Sequence, residues 1–150
     1  MPTPVETLSE LHTTLVDAVK GYEDAANLAK RDAIGAIRTD VKRVHMNHAH
    51  DIAGRLLEHG ERPDADGSYM NLMHTLALHA RFIITADEKS LLPALRDGEK
   101  RILERYDDTL REVEIAREAY SDADVKLLRD QRAVILDNIA KLDGQAEKVA

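Results

Sequence analysis

The chain has 150 residues, 43% of them hydrophobic and 33% charged, which allows one domain with a core of its own and leaves no room for a second. A balance of 21 basic against 28 acidic residues, net charge −7, repels phosphate backbones and anionic lipid surfaces, so neither nucleic acid nor a membrane is an expected partner. No cysteine is present, which excludes disulfides, thiolate metal sites and a cysteine nucleophile.

Val5, Leu8, Leu11, Leu15, Val19, Tyr22 and Ala26 recur at the three-and-four spacing of a helix with one buried stripe, predicting a first helix over 5–29. Lys30-Arg31-Asp32 reads as a tight turn. Ile34, Ile37, Val41, Val44, His48 and Ile52 repeat the pattern over 32–59, and so short a connection makes the first two helices antiparallel. Gly60 to Ser68 is dense in breakers and capping residues and predicts a loop. A crossover helix over 69–84 follows, with Leu72, Leu78, Phe82 and Ile84 spread around much of its circumference. A third helix is expected over 88–117, with Pro93 tolerated in its first turn, and Ser121-Asp122-Ala123-Asp124 resembles a capping box that opens a fourth over 122–143. The tail from Gly144 is expected to fray. Solitary Gly21, Gly35, Gly54 and Gly98 inside helices suggest close helix approach.

Two antiparallel pairs joined by one long, helix-bearing crossover give an all-α, ferritin-like four-helix bundle with an extra helix between the second and third members. The second and third helices then run parallel. The longest apolar stretch, Leu76 to Ile84, is interrupted by His79 and Arg81, and the N-terminus carries no secretory pattern, so a cytoplasmic location is expected.

Asp17 with Gly21-Tyr22 and Ala25-Ala26, Gly60 to Pro63, and Asp97-Gly98-Glu99 with Tyr106 resemble the small bacterial ferritin-like bundles of unknown function, distantly similar to rubrerythrin-like proteins. The resemblance spans about Thr7 to Leu142. It implies the fold, a bacterial cytoplasmic setting and a link to stress, and some ferritin-like relatives oxidise or store iron at a carboxylate-bridged metal pair.

A di-metal bundle needs a Glu from each of two helices and a Glu-x-x-His from each of the others. Glu99, on the stripe between Leu95 and Ile102, matches the third-helix carboxylate, but alignment of Asp17-Ala18-Val19 with Asp97-Gly98-Glu99 puts Val19 at the first-helix position, and no Glu-x-x-His exists. Glu99 is instead expected to bond to Asn138, Gln131 or Tyr106, or to pair with Arg132. A second cluster is His45, His48 and Asp51, one turn apart in succession, with His12 placed level with His48 by reflection about Lys30. Imidazole with one carboxylate suits iron or zinc, yet a buried His pair is the favoured reading and no cofactor is expected. His50, His59, His74 and His79 are expected at the surface. Serines and glycines show neither a nucleophile with its base nor a phosphate cradle. The leading expectation is a non-catalytic bundle that self-associates as a homodimer through 69–84 or binds another protein, and the alternative is a metal-binding or iron-oxidising bundle using Glu99 or the His12/His48/Asp51 group.

Overall fold

The computed structural model describes residues 2–28, 35–61 and 88–149. The expected crossover helix over 69–84, with His74, His79 and the dimer surface assigned to it, lies outside these residues. Four long helices fill the described part: α1 (Pro4–Leu28), α2 (Gly35–Glu58), α3 (Glu88–Ile115) and α4 (Asp122–Val149), with one 3-10 turn, Arg117–Ala119, between the last two. No described helix is long and apolar enough to cross a membrane.

Local chemistry sets most helix ends. The Thr3 hydroxyl accepts from the Glu6 amide at 3.2 Å while the Glu6 carboxylate accepts from the Thr3 amide at 3.1 Å, a reciprocal cap that the sequence reading missed. Ser121 and Asp124 form the expected box, with Asp124 N–H to Ser121 Oγ at 3.1 Å and Ser121 N–H to Asp124 Oδ2 at 2.9 Å. α2 ends at Glu58, the chain turns at Gly60, whose φ of 84° lies in the left-handed region, and the Glu61 amide folds back to the Leu56 carbonyl at 2.9 Å.

Contacts between helices give their directions. Leu8, Leu11 and Leu15 share a core cluster with Ile52, Leu56 and Val113, whereas Tyr22 clusters with Val41, Leu92, Leu95 and Leu142. Early α1 therefore meets late α2 and late α3, and late α1 meets their beginnings. α1 and α4 run opposite to α2 and α3, which are parallel to each other. The neighbour pairs are α1 with α2, α3 with α4, α1 with α3, and α2 with α4.

Four expectations change. α4 does not fray at Gly144 but continues to Val149, because buried Leu142 and half-buried Ala146 pack on the cluster around Tyr22. The third helix ends at Ile115, short of 117, and gives way to the 3-10 turn. Pro93 sits beyond the first turn of α3, on an exposed face close enough to the helix start that little of the helix precedes its missing N–H. Gly54 and Gly98 are not sites of close approach, since a Cβ built on either meets nothing within 4 Å.

Candidate functional site

Midway along the bundle the core stops being purely apolar. Glu99 lies one turn from buried Leu95 and one from Ile102 on the inward stripe of α3, and its side chain is fully buried. Two donors approach the same oxygen: Tyr22 O–H from α1 donates to Oε1 at 2.6 Å, and His45 Nε2 from α2 lies 2.6 Å from it. The imidazole contact requires a proton between nitrogen and oxygen, and His45 is also fully buried. Glu99 Oε2 and His45 Nδ1 are buried without a hydrogen-bond partner.

The fourth helix reaches the same level. Tyr106 O–H donates to Gln131 Oε1 at 2.8 Å, which fixes α3 against α4; equal rise along two antiparallel helices then brings Asn138 level with Glu99. Asn138 sits between buried Ile135 and Leu142 as Glu99 sits between Ile102 and Leu95, and its Nδ2 is buried and unpartnered. One polar side chain thus comes from each helix: Tyr22, His45, Glu99 and Asn138.

Two turns along α3 a second polar layer begins. The Tyr106 oxygen stands 3.4 Å from His48 Nδ1, and Gln131 Nε2 donates to the His48 carbonyl at 3.2 Å. Since the Tyr106 proton is committed to Gln131, the Nδ1–H of a neutral His48 is the donor in the long contact. Burial, helped by the positive field of His45, pushes the His48 pKa down to about 4, against weaker opposition from Asp51 and Glu99. Burial first, and then the negative field of Glu99, raises the Tyr22 phenol well above its usual range; burial followed by Glu99 and Asp51 does the same for Tyr106. Both phenols stay protonated donors at neutral pH.

Several sequence-based expectations are corrected here. Glu99 bonds to Tyr22 and His45, not to the expected Asn138, Gln131, Tyr106 or Arg132; Asn138 Nδ2 and Glu99 Oε2 are both without a hydrogen-bond partner, Gln131 and Tyr106 hold each other, and Arg132 pairs with Asp107 at 2.5 Å. The cause is register. Alignment of Asp17-Ala18-Val19 with Asp97-Gly98-Glu99 set Val19 at the central level and reflection about Lys30 set His12 level with His48, but the tilted ring contact of Tyr22 with His45, centroids 5.8 Å apart, puts the central α1 side chain one turn beyond Val19 and moves the mirror point later. The same shift places His48 near the level of Val19 and His12 near that of Arg55, so the helix rise separates His12 from His48. Asp51 is exposed and reaches His48 only through its field. His59 is not a simple surface residue, because its Nε2 lies 2.8 Å from Asp124, which also accepts from Arg55 at 2.6 Å.

Among the described residues no three His, Cys, Asp or Glu side chains converge as a ligand set. The central level has one carboxylate, one imidazole, one phenol and one carboxamide, too few anionic bridges for two divalent ions.

A family profile described as a domain of unknown function, DUF2383, matches residues 3–112. The chain belongs to the DUF2383 family. The matched part takes in α1, α2 and most of α3, and so carries Tyr22, His45, His48, Glu99 and Tyr106; Gln131 and Asn138 on α4 lie beyond it. Searches of curated proteins and of solved structures each returned no match.

Proposed function

We infer that this DUF2383 chain is a ferritin-like bundle that works through association with itself or with another protein and not through the di-metal oxidation chemistry known in that architecture. The observation that carries the reading is the central level itself. Among the described residues its only carboxylate is Glu99, which is fully buried with its Oε1 engaged by Tyr22 and His45, so the donors that a metal pair would need as bridges are neither numerous enough nor exposed to substrate. Helix direction supports the ferritin-like assignment, since α2 and α3 run the same way and one long crossover must join them.

The association surface is assigned to the 69–84 segment on its sequence alone. Its apolar residues exceed the single stripe that a helix on a bundle can bury, and a second copy is the economical cover. A bacterial cytoplasmic setting and a role under stress belong to the same reading and rest on the family resemblance. Light scattering after size exclusion tests it: a dimer at micromolar concentration that dissociates on Leu78→Lys with Phe82→Lys supports self-association. A monomer under those conditions, or a dimer indifferent to both changes, removes it.

The pairing of His45 with Glu99 favours a second reading, in which the bundle holds a metal ion at this level.

A further inference from the structure

We propose that the end of the bundle where α2 and α3 begin holds a binding site for a small aliphatic monocarboxylate, with the Arg38 guanidinium as its anchor. The site is separate from the central level, and it stands whether or not the chain self-associates.

Placement on the inward stripe is the first step. Arg38 lies one turn before Val41 and two turns before His45 on α2, and only 7% of it is exposed. Val41 belongs to the apolar cluster of Tyr22, Leu92, Leu95 and Leu142, against which Ile37 also packs. The bonds from Arg55 to Asp124 and from Gln131 to the His48 carbonyl set the register of α2 against α4, and equal rise then brings Arg38 level with Lys141 and Leu142. A cation is therefore buried at the apolar end of the core.

No group there answers its charge. Arg38 Nη1 is buried without a hydrogen-bond partner among the described residues. One turn further along α2 stand Val41 and Lys42, neither of them a carboxylate. The neighbouring cations are matched, since Lys42 faces Glu23 at 3.8 Å, Arg43 faces Asp40 at 3.8 Å and Arg96 faces Asp143 at 3.4 Å. A buried charge with no partner is costly, and arginine, unlike lysine, does not lose its charge on burial. An anion taken from solvent removes that cost.

Charge and shape select the class of anion. The planar guanidinium donates to both oxygens of a carboxylate at once, and one negative charge balances one positive charge. A phosphate group carries more than one at neutral pH, and the excess would lie unpaired against an apolar cluster. Val41, Leu92 and Leu142 offer hydrocarbon surface beside the charge, which suits the alkyl end of a short acid. Binding is non-covalent, and neither a proton nor an electron moves.

The experiment titrates the full chain with butyrate at constant ionic strength, with sodium chloride and inorganic phosphate as separate arms, and reads the melting temperature by circular dichroism and the heat of binding by calorimetry. One butyrate per chain at millimolar concentration is expected, with a melting temperature that climbs with ligand in the butyrate arm alone. Arg38→Met should melt about 2–10 °C above wild type without ligand, because the uncompensated charge is gone, and should no longer respond to butyrate. Arg38→Lys keeps the charge but loses the fork and should weaken binding about 10-fold, and it decides the matter if Arg38→Met does not fold. Arg43→Gln, an exposed position one turn away, should bind as wild type does. No butyrate binding by the wild-type chain overturns the site. So does a response that persists in Arg38→Met or is undiminished in Arg38→Lys, and a rise with phosphate or chloride as large as that with butyrate overturns the carboxylate class.

Discussion

Replacing Glu99 with Leu removes the shared acceptor of two buried donors, the Tyr22 hydroxyl and the His45 ring nitrogen, each 2.6 Å from Oε1. A buried donor left without a partner costs about 1–3 kcal/mol, so the single change should cost about 2–6 kcal/mol before any gain from the apolar side chain. His45→Leu makes the complementary defect: a buried carboxylate held by Tyr22 alone, at a cost of about 3–5 kcal/mol. The double variant contains neither the carboxylate nor the imidazole, and only the Tyr22 hydroxyl remains to be accommodated. It should therefore be less destabilised than the two single losses added together, by at least about 1.5 kcal/mol. Urea titrations at neutral pH followed by far-ultraviolet circular dichroism measure this directly, and the choice of probe follows from the absence of tryptophan. Losses that add to within about 0.5 kcal/mol would refute the claim that Glu99 and His45 form one energetic unit.

Gly98→Ala should stabilise the chain by about 0.5–1 kcal/mol in the same assay, because a Cβ there meets nothing within 4 Å and helix entropy favours alanine. Asp124→Asn should destabilise the start of α4 at neutral pH. Burial alone would raise the Asp124 pKa, but bonds from Arg55, the Ser121 amide and His59 outweigh it and hold the folded value below the usual one, so the wild-type advantage is present above about pH 4 and fades as pH falls through the folded pKa. Asp17 behaves in the opposite sense. Burial raises its pKa to about 7, so its penalty on the folded state grows as pH rises from about 4 to about 7, and Asp17→Asn should gain stability relative to wild type across that window. A gap between the two chains that stays flat with pH would contradict the assignment.

Features written within one turn of sequence were legible before any coordinates. The Ser121 and Asp124 box is a spacing of three residues with the right side chains, and the stripe through Leu95, Glu99 and Ile102 is a helical period, so the position of Glu99 in the core followed from local pattern. What Glu99 touches did not. Its partners sit on other helices, and which residue meets which depends on how much chain the connection after α1 uses; a reflection about Lys30 pairs α1 with α2 about two turns out of register. In sequence Tyr22 is an ordinary stripe position and His45 a neighbour of His48, because neither the phenol nor the imidazole shows its partner in its own helix. The fold of α4 past Gly144 was lost for a related reason: glycine weakens a helix locally, and only packing of Leu142 and Ala146 on the distant Tyr22 cluster overrides it.

Whether the bundle centre lacks a di-metal site is decided by ferrous-iron oxidation in air. The stripped, untagged chain is mixed with ferrous iron, and the appearance of ferric iron is compared with buffer alone while bound metal per chain is counted after desalting. A centre without a metal pair gives an oxidation rate no faster than that of buffer and no more than one ion bound per chain. Two ions per chain with accelerated oxidation, both lost in Glu99→Gln, would contradict it.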